Sequence, residues 1–466
     1  MSDLHELTAL ETAAAVRRGD VTVVEVVEAA LARAERLGPA LGAFSVLTPD
    51  RALDAARALD RHRPAGPLAG VPTAVKDLTA TAGIPTARGS VVHAGHVPDR
   101  DDDVVGLLRD AGTVSIGKTA VPEFGLPCYT EPAGAPPAVT PWDRTRSAGG
   151  SSGGAAAAVA AGILPVAHGT DGGGSVRIPA AVCGLVGLKT TRGRVPQGPA
   201  GGDPAGMSVH GPIARTVADA AALLDAMARP SPGEPFVPAT PPAGGYLAAA
   251  ARDPGRRRIA LAVDPPIDAT VVDPACRRAA EETGALLAEL GHEVEPVALR
   301  LPDAGVEAFL VLWKVLSLGD PVDPADEPRL QPLTRWLRAR GREYGGMAAM
   351  AALQTVHVVT RAMVAERAGF DAVLTPTVAL PPRPVGWFTD GGDPAEDFAR
   401  QVAFTPWTAI ANLTGEPAIS LPLSWADGLP IGVSLRGRRG EEDVLLALGA
   451  QLEAARPWSH RRPPVV

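Results

Sequence analysis

The chain is predicted to be an α/β protein, and three observations carry that prediction. Helical and extended patterns alternate along it, one segment (257–299) spells out a strand-helix-strand unit, and 46% of the 466 residues are hydrophobic, enough for a large core. Residues 4–18 and 24–36 carry apolar positions at helical spacing: Leu7, Leu10, Ala14 and Val16, then Val24, Val27, Ala30, Leu31 and Ala34, with Gly38 as the expected stop. RRIALAVD (257–264) reads as a buried strand, and PACRRAAEETGALLAELGHEVEPVAL (274–299) as a helix followed by another strand. PSPGEPFVPATPPAGG (230–245) reads as a long surface loop, and the residues from about 457 as a flexible tail. Strands and helices alternate on both sides of that loop, which favours one domain over residues 1–466.

Composition narrows the function. The net charge of −8 comes from interspersed acids and bases, without the basic face that nucleic acid or an anionic membrane would require. No run of about 18 apolar residues offers a membrane span, and the N-terminus lacks the basic start and apolar run of a signal peptide. Cys128, Cys183 and Cys276 are scattered, with no C-x-x-C pairing for zinc or a disulfide framework. The expectation is a cytoplasmic protein with a small-molecule or protein partner.

Residues 147–181, SAGGSSGGAAAAVAAGILPVAHGTDGGGSVRIPAA, concentrate glycine around two serine positions. Glycine loses more backbone freedom on folding than any other residue, so this density marks backbone shapes that other residues cannot take. Gly149, Gly150, Gly153 and Gly154 flank Ser151 and Ser152, and the alanine run from 155 to 161 forms a buried helix behind them. Gly172, Gly173 and Gly174 lead directly into Ser175, a spacing that lets several backbone N–H groups converge beside one hydroxyl, as an oxyanion hole requires. Neither loop has the Lys-Ser/Thr ending of a phosphate-binding P-loop or the spacing of a dinucleotide fingerprint.

A serine nucleophile needs a base. His168 lies seven residues before Ser175 and reads as a buried structural histidine on the entering strand; His93 and His96 lack a third metal ligand. Lysine serves if burial lowers its pKa from about 10.4 to near neutrality. Lys76, at the end of an apolar strand in LAGVPTAVKD, is the candidate.

In order, GVPTAVKD, GKTAVPEFG (117–125), PWDRTRSAGGSSGG, GTDGGGSVRIPAA, GLVGLKTTRGRVP (184–196), GPIARTVADAA (211–221), FDAVLTPT (370–377) and NLTGEPAISLPL (412–423) closely resemble the amidase signature family. The likeness runs from about residue 5 to 455. It implies a large mixed twisted β-sheet covered by helices on both faces, with the site at loop ends near the sheet centre. It also implies a Ser-Ser-Lys triad of Ser175 (nucleophile), Ser151 (bridging serine, after an unusual cis peptide) and Lys76 (base). The oxyanion hole would be Gly172, Gly173, Gly174 and Ser175; Asp171 and Arg177 would support the loop. Gly125, Leu126, Cys128, Tyr129 and Trp407 would contact substrate.

The resemblance implies no metal and no organic cofactor, a small-molecule amide as substrate, and room for a homodimer. Many members have threonine at Gly172 and asparagine at Ala120. The GTDGGGS variant, with FTPWTAIANLTG (404–415), resembles the branch containing the cyclic aminohexanoate dimer hydrolase, which implies linear or cyclic amides with an apolar acyl part. Trp313, Trp336, Trp387 and Trp407 fall in the segment 300–410 expected to shape the pocket. The alternatives within the same resemblance are an esterase or hydrazidase, and the catalytic subunit of a glutamine-dependent tRNA amidotransferase.

Overall fold

The computed structural model describes residues 4–62, 66–199, 202–229, 231, 233–236, 240–267 and 271–464. Its first helix, Ala9–Arg18, starts at Thr8, whose hydroxyl accepts from the Glu11 N–H while the Glu11 carboxylate accepts from the Thr8 N–H. That reciprocal pair satisfies two of the donors a helix start leaves free. The second helix begins the same way at Thr22 and runs Val23–Leu41, a turn past the expected stop at Gly38. Gly38 is there for space: a Cβ would sit 3.2 Å from the Phe44 ring, and the left-handed cap is Gly42 (φ 56°).

Eleven strands follow the chain: β1 (Phe44–Leu47), β2 (Pro72–Lys76), β3 (Val114–Thr119), β4 (Val166–Asp171), β5 (Val186–Lys189), β6 (Val209–Ala214), β7 (Arg258–Leu261), β8 (Glu293–Pro296), β9 (Ala372–Pro376), β10 (Ala418–Ala426) and β11 (Leu429–Gly437). They form a three-stranded sheet, β1-β3-β2, and an eight-stranded mixed sheet, β4-β6-β5-β10-β11-β9-β7-β8. β7 and β8 are parallel and joined by the helix Pro274–Glu289, which is the strand-helix-strand unit read from the sequence. Consecutive strand residues enter opposite cores. Val166 and Ala214 pack with the helices Val217–Met227 and Glu442–Ala455, whereas Ala167 and Ile213 pack with Val23–Leu41 and Gly153–Ala160. Helices therefore cover both faces.

The small sheet abuts β4, where Thr73 Oγ1 donates to Val166 O (3.2 Å) and the Lys76 N–H to His168 Nδ1 (3.2 Å). The glycine loop 172–174 thus leaves an edge strand of the large sheet, at its junction with the small one, and not its centre. The stretch 230–245 has no strand or helix among its described residues before Gly245; residues 230, 232 and 237–239 lie outside the described residues. The expected loose tail is pinned at Trp458, which is buried in the main core and donates from Nε1 to Arg215 O (2.9 Å). The helix Gly346–Glu366 has the length and apolarity to cross a membrane, yet Ala352, Val356, Thr360 and Met363 face inward and Met347, Met350 and Val358 outward.

Candidate active site

Lys76 ends β2 with its side chain fully buried. Its Nζ lies 2.9 Å from Ser151 Oγ, 2.8 Å from Thr170 Oγ1 and 3.1 Å from Thr170 O. Burial pushes the amine down to about 7, against the opposing pull of the Asp171 carboxylate. A neutral amine has two N–H donors and one lone pair. Thr170 supplies two acceptors, so the lone pair is left for the Ser151 hydroxyl.

Two neutral histidines stand behind the lysine. His168 Nδ1 accepts from the Lys76 backbone, so its proton sits on Nε2 and is donated to His210 Nδ1 at 2.8 Å. Burial holds His168 well below its ordinary pKa and His210 down to about 4, so neither ring carries a charge near neutral pH. His168 is the structural histidine the sequence suggests.

Ser151 follows a cis Gly150–Ser151 peptide, and the all-buried helix Gly153–Ala160 continues from it. Ser175 sits just past β4 and lines a cavity. The two serine segments are tied through backbone, the Ser152 N–H donating to Ser175 O (3.2 Å), while no Ser151–Ser175 side-chain hydrogen bond forms among the described residues. Catalytic hydrogen bonds are often open without substrate and close around it.

The glycine loop is held by one carboxylate. Asp171 accepts from the Gly174 N–H (2.9 Å) and the Val176 N–H (3.2 Å), and from Arg177 Nε and Nη2, both at 2.9 Å. Burial alone would raise this acid, but Arg177 first, then Lys189 and Asn412, hold it well below the ordinary carboxylate range. Asn412 completes the brace, donating from Nδ2 to Asp171 Oδ1 and accepting from Arg177. The Gly174 N–H is therefore spent on Asp171 and drops out of the expected oxyanion set. The N–H groups of Gly172, Gly173 and Ser175 have no acceptor among the described residues. Gly174 still needs to be glycine, with φ 132° and a Cβ position 2.7 Å from Ile178 and Thr408.

Leu126, Cys128, Ile178, Phe309, Trp313 and Val402 are among the residues around Ser175 in the cavity, and no charged side chain lines it among the described residues. Gln401 is already engaged, accepting from the Cys128 N–H (2.9 Å) and donating to Asp397 (2.8 Å), and burial keeps the Cys128 thiol well above its ordinary pKa. Two expected contacts fall elsewhere. Tyr129 stacks on Phe388 at 4.8 Å and donates its hydroxyl to Asp397, behind the wall. Trp407 turns into a separate core cluster and donates to Asp264 O (3.2 Å), leaving Pro406 and Ala409 on the cavity side. Gly125 lies beside Ser151, its Cβ position 3.3 Å from Ser151 Oγ.

Thr170, Asn412 and His210 carry the geometry without having been assigned roles from the sequence. For Asn412 the motif NLTGEPAISLPL was the available signal; Thr170 sits inside GTDGGGS itself. No group of His, Cys, Asp and Glu that could hold a metal ion occurs among the described residues.

The amidase family model matches residues 25–446. The chain is 41% identical over 476 residues to AmiB2 of Mycobacterium tuberculosis (strain ATCC 25618 / H37Rv), which carries an amidase name, covering 100% of this chain and 99% of the relative. It is 36% identical over 482 residues to the 6-aminohexanoate-cyclic-dimer hydrolase of Paenarthrobacter ureafaciens, covering 97% of this chain and 95% of that one. A solved 6-aminohexanoate cyclic dimer hydrolase, complexed with substrate, superposes with a TM-score of 0.91 at 32% identity, covering 99% of both chains. A bacterial aryl acylamidase of the amidase signature family superposes at 0.87 with 28% identity, covering 98% of both. A match spanning nearly the whole sequence, together with these superpositions, makes the chain a member of the amidase family, an enzyme that hydrolyses amides.

Proposed function

We propose that this amidase cleaves uncharged amides with an apolar acyl part, linear or cyclic, through an acyl-enzyme on Ser175. The observation that carries the reading is Lys76: a fully buried amine, brought near neutrality by burial, with one serine hydroxyl and two threonine acceptors around it. Neutral Lys76 takes the Ser151 proton as Ser151 takes that of Ser175. Ser175 Oγ attacks the carbonyl carbon, and the tetrahedral oxyanion meets the N–H groups of Gly172, Gly173 and Ser175. The proton returns through Ser151 to the leaving nitrogen, the C–N bond breaks, and water attacks the acyl-enzyme by the same relay. Esters and hydrazides would pass through the same acyl-enzyme.

The acyl preference rests on the cavity wall. It offers a charged group no partner, and burying an unpaired charge is costly. The test is a kcat/KM comparison between anilides of hexanoic acid and of adipic acid, matched in length and differing by one terminal carboxylate. The hexanoyl anilide should be favoured by about 100-fold or more. Equal rates, or preference for the acid, would overturn the reading.

A further inference from the structure

Across the large sheet, Asp171 pairs with Val209 on β6, and further along Lys189 on β5 pairs with Ala418 on β10, which pairs with Arg436 on β11. Four strands along from Asp171, a second cavity of about 1000 Å³ opens between the end of β11 and the helix Gly346–Glu366. Six arginines stand on its wall, Arg192, Arg361, Arg367, Arg436, Arg438 and Arg439, against two carboxylates, in a chain whose net charge is −8. Both carboxylates are already engaged: Glu416 pairs with Arg436, and Asp371 lies 3.3 Å from Arg438 and 3.7 Å from Arg257.

Three of the guanidinium groups are fixed by main-chain carbonyls. Arg192 donates to Asn412 O (2.7 Å) and Leu413 O (3.1 Å), Arg438 to Phe370 O (3.0 Å) and Ala368 O (3.3 Å), and Arg439 to Thr414 O (2.6 Å). Their planes are held before any ligand arrives, which lowers the entropy cost of binding one. Two others are recessed and incompletely paired. The side chains of Arg367 and Arg436 are 9% and 10% exposed, and Arg367 Nε and Arg436 Nη2 are buried without an acceptor among the described residues. Burial first, and the neighbouring Arg436 charge next, lower the Arg367 pKa against the opposing pull of Glu366 and Glu416. Arg361 is exposed on the same wall, with no hydrogen bond or ion pair among the described residues.

We propose that this cavity binds a soluble anion carrying a diphosphate group, at a site separate from the amide-hydrolysing one. Six guanidinium groups against two engaged carboxylates leave this wall with an excess of positive charge, which a bound anion neutralises. Guanidinium forks match phosphate oxygens two at a time, and a diphosphate presents enough oxygens for several forks at once. The arginines line a concave wall, which suits a small soluble anion over a flat macromolecular surface, and the cavity is roomier than a lone phosphate needs.

The test is calorimetric titration of the full-length protein with pyrophosphate at fixed ionic strength, beside citrate as a carboxylate polyanion. Expected are one saturable pyrophosphate site, weaker citrate binding, and continued hydrolysis of the hexanoyl anilide without competitive inhibition. Arg367→Gln should weaken pyrophosphate by about tenfold or more, as loss of a charge-assisted donor does. Arg361→Ala, a surface change that leaves the fold intact, should weaken it by about threefold. No saturable binding, tighter citrate binding, competition with the anilide, or unchanged affinity in Arg361→Ala would each overturn the proposal. The last keeps it falsifiable if Arg367→Gln does not fold.

Discussion

Lys76 illustrates how one residue acquires a function from its surroundings. An amine at the end of an apolar strand has nowhere to put its charge, so burial brings its pKa to about 7, and Thr170 and Ser151 take up its three bonding directions. In the proposed mechanism the neutral form is the base, so kcat/KM should climb about tenfold per pH unit below 7 and level off above it. A profile flat from pH 5.5 to 8 would remove Lys76 from the proton path. Lys76→Ala should lower kcat/KM by about a thousandfold or more while the melting temperature stays within a few degrees. The sequence brought Lys76, Ser151 and Ser175 into view through glycine density and motif order. It did not reveal that the Gly174 N–H is committed to Asp171, because that depends on where a carboxylate three residues earlier points once Arg177 and Asn412 hold it.

At the scale of elements, the glycine loop is a tight backbone path with uneven tolerance. Gly174 has φ 132° and no room for a Cβ, whereas a Cβ on Gly172 would meet only ordinary contacts at 3.8 Å or more. Gly174→Ala should therefore cut activity by about a hundredfold or more, and Gly172→Ala should stay within about fivefold, since its N–H is kept. Matched steady-state assays decide this, and equal losses would contradict the loop geometry. The helix-strand order was legible from periodicity, as the β7-helix-β8 unit shows. Which tryptophan faces the cavity was not: Trp313 and Trp407 share the segment 300–410, and only packing turns the first toward Ser175 and the second toward Asp264. Gly38 misled for a related reason, being small to admit a ring and not to end a helix.

Over the whole molecule, buried titratable groups tie stability to pH. Lys76 and Lys189 are both pushed down to about 7 by burial, while unfolded lysine titrates near 10.4. Between these values the unfolded chain binds more protons than the folded one, so stability rises with pH. Cys183 and Cys276, pushed up to about 12, act in the opposite sense once unfolded thiols ionise above about 8.5. Glu453, raised to about 7, loses its contribution as pH rises to that point. The window from pH 7.5 to 8.5 is thus left to the lysines, and the melting temperature should increase across it in calorimetry; a decrease would contradict their burial as neutral amines. At this scale the mixed sheet was legible and the C-terminal anchor was not. Trp458 sits among arginines and prolines that read as a tail, and its value lies in a core slot and the Arg215 carbonyl more than 200 residues away.

The central claim is that Ser175 is an activated nucleophile. Its most direct test is the intact mass of the purified chain after exposure to a small fluorophosphonate, with peptide mapping. The account predicts one adduct, mapped to Ser175, absent in Ser175→Ala and slowed by at least about a hundredfold in Lys76→Ala. An adduct on another residue, or equal labelling of the wild type and Ser175→Ala, would contradict it.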